Sequence, residues 1–251
     1  MGRRTDEIKI EVGRVVNRAR VMTKDEGVVP TAKFFGKLVV EHLEYPVMRK
    51  RRADKRFTLF GEEVPFAYHL YSQTWRNERS LEIAVAHKFL KHRPTGRMLE
   101  LGNVLGHFGY VGHDVIDRYE DVDGIINEDM IGWQAAELYD TVVSISTLEH
   151  VRFDEELLKD PRGSSLALDS LKATVKPGGR LLVTVPLGYN GGLDEDIRSG
   201  RFSFDRQAYY RRVSKDNDWR EVSQEEGLSC RYASQYEAAN AILVGIDGPH
   251  P

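Results

Sequence analysis

The stretch Met98-Leu-Glu-Leu-Gly-Asn-Val-Leu-Gly-His-Phe-Gly109 decides the fold. Met98 to Leu101 is a short apolar run that ends on a glycine, the pattern of a buried strand closing in a turn. Gly102 and Gly106 follow at the spacing G-x-x-x-G. Glycine lets backbone approach a ligand closely, because it has no Cβ and tolerates unusual φ/ψ. The spacing is not the G-x-G-x-x-G of dinucleotide folds. An acid at the strand end, Glu100, would also repel a pyrophosphate while suiting a cationic ligand.

Downstream, strand-like runs recur: His113 to Asp117, Ile125-Ile126, Thr141 to Ser146, and Arg180 to Pro186 (RLLVTVP). Ser164 to Val175 reads as a helix closed by Lys176-Pro-Gly-Gly179. Strands alternating with helical stretches predict an α/β fold with a mostly parallel, Rossmann-like sheet and right-handed crossovers. Such sheets bind ligands at the carboxyl ends of their strands. Asp117, at the end of the second strand, can accept from ribose hydroxyls. Asn127-Glu128-Asp129 follows the third, where an acid can accept from an adenine amino group.

Upstream, residues 1–90 read as an N-terminal cap of helices plus a hairpin. Ile8, Val12, Val15 and Val16 recur at helical spacing, and Thr31 to His42 reads as a second helix. Phe57 to Phe60 and Val64 to Tyr68 flank a Gly-containing hairpin loop. Asn77 caps a helix running through Leu90. Residues 91–251 are the ligand-binding domain, with a lid-like polar and aromatic insert over 188–221. Ser229 to Tyr236 and Asn240 to Ile246 read as closing strands, both antiparallel.

The chain has 251 residues, a net charge of −3 and a single cysteine, Cys230. A single cysteine excludes an intramolecular disulfide and a Cys-based zinc cluster. The charge gives no global drive toward nucleic acid. No apolar run reaches membrane-span length and no signal-peptide core is visible, so the expected compartment is cytoplasmic. Two basic clusters, Arg49 to Arg52 with Lys55 and Arg56, and Arg206, Arg211, Arg212 and Lys215, read as solvated surface. The functional alternative is an acidic or polyhydroxylated substrate. Oligomeric state is not readable.

Three segments together carry a family resemblance: Glu100-x-Gly102-x-x-x-Gly106, Tyr139-Asp-Thr-Val-Val-Ser-Ile-Ser146-Thr-Leu-Glu149-His150-Val, and Leu171-Lys-Ala-Thr-Val-Lys-Pro-Gly-Gly-Arg-Leu-Leu-Val-Thr-Val-Pro186. Over Arg97 to Pro186 and the closing strands, the chain resembles class I S-adenosylmethionine-dependent methyltransferases. The resemblance implies a seven-stranded sheet and S-adenosylmethionine as donor. It implies a donor site of Glu100, Gly102, Asn103, Gly106, Asp117, Glu128, Asp129 and Ser146, with Glu100 and Gly102 near the methionine end, Asp117 near the ribose and Asp129 near the adenine. Val104 stands where the family often has a middle glycine, which leaves the loop's backbone path open. The Asn/Asp-Pro-Pro-Tyr/Phe signature of amino-methylating DNA enzymes is absent. Segments such as Val185-Pro-Leu-Gly-Tyr-Asn190 and Phe204-Asp-Arg-Gln-Ala-Tyr-Tyr-Arg-Arg212 resemble small glycan-associated methyltransferases. Among these are the mycobacterial methylmannose polysaccharide 1-O-methyltransferases of polysaccharide biosynthesis.

A sugar hydroxyl is a poor nucleophile and gains from a general base. His150, just past the fourth strand, fits that role; it also fits a histidine that only packs or hydrogen-bonds locally. Glu149 is the second catalytic candidate, orienting ligand or histidine. Tyr68, His69, Tyr71, Tyr189, Tyr209 and Arg211 are candidate substrate contacts, the first three competing with a reading as buried hairpin aromatics. Acids and histidine near the mouth could hold Mg²⁺, which no spacing requires. The expected activity is O-methylation of a sugar or oligosaccharide. The rivals are another small molecule, a protein or nucleic-acid acceptor, and a binding protein that has lost catalysis.

Overall fold

The computed structural model describes residue 24 and residues 28–91, 96–155 and 157–249. The helix expected around Ile8 to Val16 lies outside them. The chain divides into two compact units, Met1–Arg52 and Ala53–Pro251. The first holds α1 (Val28–Arg51), which contains the expected Thr31 to His42 helix; Arg49, Lys50 and Arg51 occupy its last turn, where cations oppose the helix dipole. The hairpin and the helix after Asn77, grouped with the cap on sequence, belong to the second unit.

That hairpin is β1 (Arg56–Leu59) and β2 (Glu62–Pro65), joined through Phe60 and Gly61. Both turn residues have positive φ, as a two-residue hairpin turn demands. Helix α2 (Arg79–Lys91) starts where Asn77 Oδ1 accepts from Arg79 N at 3.1 Å.

The main sheet has the chain-ordered strands β3 (Met98–Leu101), β4 (Asp114–Ile116), β5 (Ile125–Ile126), β6 (Tyr139–Ile145), β7 (Val175–Pro186), β8 (Arg206–Arg212), β9 (Trp219–Val222) and β10 (Ala241–Asp247). Their spatial order is β5-β4-β3-β6-β7-β10-β8-β9. The first five are mutually parallel. From β7 outward, β10, β8 and β9 pair antiparallel. The expected Rossmann-like, mostly parallel sheet is present, with eight strands rather than seven.

Side-chain alternation buries both faces. Val142, Leu181 and Leu243 join one apolar cluster; their neighbours Val143, Leu182 and Val244 join the other. Helices α3 (Gly163–Ala173), α4 (Gly191–Arg198) and α5 (Gln224–Leu228) complete the unit.

Three expectations are corrected. The connections β3–β4, β4–β5 and β5–β6 contain no α-helix; the first holds only a 3₁₀ turn, Leu105–Phe108. The 188–221 stretch is not a lid: it supplies α4, β8 and β9, with Tyr209 and Tyr210 buried inside the sheet. Ser229 to Tyr236 forms turns rather than a strand, with Ala233 at positive φ. The reason is close packing at Gly188, where a Cβ would stand 2.3 Å from the Cys230 carbonyl oxygen. Tyr232 N donates to Gly188 O at 3.2 Å, so the segment crosses that glycine instead of pairing with the sheet.

Candidate functional site

A cavity of about 570 Å³ opens where β3, β4, β5 and β6 end. That is the switch-point position for ligands in a sheet of this type, and the size accommodates a nucleoside with an amino-acid tail. Gly102, Asn103, Asp117, Glu128, Asp129, Ser146 and His150 all line it. Glu100, Gly106 and Glu149 do not, nor do Tyr68, His69, Tyr71, Tyr189, Tyr209 and Arg211.

Glu100 is fully buried and serves the loop itself. Its Oε1 accepts from Val104 N and Leu105 N, each at 2.8 Å, and its Oε2 sits 2.8 Å from His113 Nε2. Those bonds give the loop a defined path despite Val104. Gly102 has φ +83°, and a Cβ there would meet Thr147 Oγ1 at 2.3 Å. The cradle is therefore one that only glycine can form.

Asp117 Oδ1 accepts from Tyr119 N and Glu120 N at 2.8 and 3.1 Å. This turn holds the carboxylate at the strand end, with Oδ2 carrying no hydrogen bond among the described residues. Asp129, expected to face an adenine, is already engaged. Its Oδ1 accepts from Ile131 N at 3.0 Å, and its Oδ2 from Arg118 at 2.9 Å and from Arg152. Glu155 closes this network with Arg118 at 3.2 Å and Arg152 at 3.5 Å. Arg118, Arg152 and Glu155 were missed on sequence, because nothing in their spacing announces a pairing across three loops. Glu128 is exposed beside them.

Five lining carboxylates (Asp117, Glu128, Asp129, Asp154, Glu155) outnumber Arg118 in the lining and Arg152 beside it. That field suits a cationic ligand and opposes a pyrophosphate.

Under the end of β6 lies a buried polar cluster. Ser146, held at φ +42°, donates to Glu82 Oε1 at 2.6 Å. Thr184 donates to the same oxygen at 2.8 Å, and Arg79 to Glu82 Oε2 at 2.9 Å. Glu149 is 1% exposed, and its Oε2 has no hydrogen-bond partner among the described residues. Burial, then repulsion from Glu82, holds the Glu149 carboxyl well above the usual carboxylate range. Glu78 is raised for the same two reasons.

At the mouth, His150 Nδ1 is 2.5 Å from Asp154 Oδ2, and Nε2 is 3.5 Å from Glu149 Oε1. Tyr189 lies edge-on to the His150 ring, centroids 5.0 Å apart. Asp154 was not foreseen either.

The remaining sequence candidates fall elsewhere. Tyr71 stacks on His107 at 4.1 Å and His69 meets Phe108 edge-on at 5.1 Å, so both brace the turn after the glycine loop. Tyr68 stacks on Phe66 in the hairpin. Tyr209 donates to Gln224 Oε1 at 3.1 Å, and burial pushes its hydroxyl up to about 12. Arg211 pairs with Glu226 at 3.2 Å, while the buried Arg212 donates to the carbonyls of Ser214, Lys215 and Glu237. The second basic cluster is thus largely structural. Among the described residues, no group of three or more His, Cys, Asp or Glu side chains is arranged to hold a metal ion, and no helix is long and apolar enough to cross a membrane.

Sheet order and glycine cradle together define a Rossmann-like protein with the class I methyltransferase fold. No protein-family model and no curated protein matches the chain. Solved structures similar to it include the N-methyltransferase NodS of Bradyrhizobium japonicum WM9 in complex with S-adenosyl-L-homocysteine: 17% identity, 69% of this chain and 88% of that one, TM-score 0.44. A SAM-dependent methyltransferase from Archaeoglobus fulgidus is 15% identical over 70% of this chain and 97% of its own, TM-score 0.43. CalS10, an amino pentose methyltransferase from Micromonospora echinaspora with bound SAM, is 18% identical over 47% and 56%, TM-score 0.31. Likeness of this degree says nothing of donor, acceptor or residue roles.

Proposed function

We propose that this chain is an S-adenosylmethionine-dependent O-methyltransferase acting on a hydroxyl of a sugar or oligosaccharide. The observation that carries the reading is the cavity itself. It joins a glycine cradle, a strand-end carboxylate with a free oxygen and an excess of acid at one switch point, with a histidine at its mouth. The residues fit the donor: Gly102 and Asn103 would hold its methionine end, Asp117 its ribose, and Glu128, in place of the engaged Asp129, its adenine.

When bound, the donor supplies a methyl carbon whose bond to sulfur breaks, its electron pair leaving on sulfur, as the acceptor oxygen bonds to that carbon. The chain's own contribution is alignment, exclusion of water and disposal of one proton. His150, which lines the cavity, receives that proton in this reading.

Calorimetry with S-adenosylmethionine, its demethylated product and NAD tests the donor. Binding of the first two and not the third is expected; equal or tighter NAD binding refutes the assignment. Labelled donor offered with sugars, lipids, RNA and protein tests the acceptor, with label expected in the sugars.

A further inference from the structure

Asp154 belongs to none of the motifs that revealed the fold, yet it bonds both His150 and Tyr189 at the cavity mouth. Its Oδ2 is 2.5 Å from His150 Nδ1. The Tyr189 hydroxyl donates to Oδ1 at 2.9 Å and Oδ2 at 3.0 Å. Tyr189 in turn rests edge-on against Phe153 and Tyr232, at 5.4 and 5.1 Å. The His150 and Asp154 side chains are 48% and 46% exposed, so packing alone does not fix the imidazole. The groups facing it are Asp154, Tyr189 and Glu149, the last 3.5 Å from Nε2 with its carboxyl held above the usual carboxylate range by burial.

We propose that Asp154 is the positioning residue of the methyl-transfer site: it holds His150 with the hydrogen on Nδ1, leaving the Nε2 lone pair to take the proton of the acceptor hydroxyl, while Tyr189 locks Asp154 in place. This rests on the O-methyltransferase reading above. A neutral imidazole carries one N–H, and a carboxylate only accepts, so the nitrogen against Asp154 is the one bearing hydrogen. As the acceptor oxygen bonds to the methyl carbon and the carbon–sulfur pair departs on sulfur, the hydroxyl proton passes to Nε2. The resulting imidazolium sits against the Asp154 carboxylate, which stabilises it. Burial, then its bond to Asp154, pushes the Tyr189 hydroxyl up to about 12, so it remains a donor throughout the working range.

Asp154→Asn tests the assignment without changing side-chain size. The Tyr189 hydroxyl will claim the amide oxygen and turn the amide N–H₂ toward Nδ1, which must then accept; the hydrogen moves to Nε2. Long-range ¹⁵N–¹H correlation on the ligand-free protein should show Nδ1–H for His150 in the wild type and Nε2–H in the variant. With donor and a sugar whose hydroxyl the wild type methylates, kcat should fall by ~10²–10⁴ with donor Kd and acceptor KM little changed. Tyr189→Phe should give a smaller fall and a mixed tautomer signal. A wild-type Nε2–H signal, or an unchanged tautomer in Asp154→Asn, overturns the proposal. A tautomer switch with unchanged kcat removes Asp154 from the reaction but leaves methyl transfer standing. A wild type that binds donor and methylates no hydroxyl overturns both readings.

Discussion

The side chain of Thr147 fills the space where a Cβ of residue 102 would stand: the distance to Oγ1 would be 2.3 Å. The glycine turn after β3 and the turn after β6 are thus built against each other. Gly102→Ala adds that collision to the cost of a left-handed backbone, about 1–2 kcal/mol for any residue with a Cβ. The expected result is a lower melting temperature together with at least tenfold weaker donor binding by calorimetry. Unchanged melting and binding would show that the two turns are not coupled in this way.

Asp117→Ala removes the strand-end carboxylate and, with it, the acceptor for Tyr119 N and Glu120 N. Donor affinity should drop by about 1–3 kcal/mol, the cost of leaving ribose hydroxyls unpaired. Asp117→Asn keeps an oxygen for the turn, so calorimetry on both variants separates loop damage from ligand contact.

The parallel half of the sheet was legible because β3, β6 and β7 are buried on both faces and read as short apolar runs. The antiparallel half was not. Arg-Gln-Ala-Tyr-Tyr-Arg-Arg over β8 looks like a polar loop, since a partner such as Glu226 for Arg211 lies on another segment. For the same reason Tyr209 and Arg211 looked like substrate contacts. Site acids were found at strand ends, where position alone suggests a role. Whether an acid faces the cavity, as Asp117 does, or serves the backbone, as Glu100 does, depends on the loop path, which no periodicity encodes. The His150–Asp154 pairing depends in the same way on the turn that follows a 3₁₀ segment.

Asn217 is a stability test independent of the cavity. Buried and at φ +58°, it donates to Asn77 O at 2.7 Å and accepts from Trp219 Nε1 at 3.0 Å, tying the β8–β9 turn to the start of α2. Asn217→Ala strands those groups and places alanine in a region asparagine tolerates better. Denaturant unfolding should show a loss of about 2–4 kcal/mol. A loss under 1 kcal/mol would mean that water replaces the side chain.

Glu149 makes stability depend on pH in a direction opposite to an ordinary paired carboxylate. Its folded-state pKa is raised, so the folded protein binds the proton more tightly than the unfolded chain does. The stabilisation is fully present below the unfolded value, near 4.5, and is lost as pH rises through the raised folded value. Glu149→Gln removes this dependence while keeping a hydrogen-bonding side chain. Unfolding free energy measured between pH 5 and 9 should decline less steeply in the variant, which gains relative stability at the alkaline end. Parallel curves would assign the burial penalty elsewhere.

His150 is the residue on which the chemical reading turns. It lines the cavity, lies against Asp154 through Nδ1, and has no role in the apolar core. A general base must take up the proton of the acceptor hydroxyl, and His150→Gln removes that capacity. His150→Ala should lower kcat by ~10²–10⁴ with donor Kd unchanged, the usual range for lost general-base help. Glutamine can hydrogen-bond an acceptor hydroxyl but cannot carry its proton away, so His150→Gln should be nearly as slow as His150→Ala while keeping more of the acceptor affinity. Because the side chain is half exposed, neither variant should melt more than a few degrees below wild type, as expected of surface substitutions. Near-normal kcat in His150→Gln would reduce the histidine to positioning the acceptor. Unfolding of both variants would make it structural, and the proton would then have to pass to another group at the mouth.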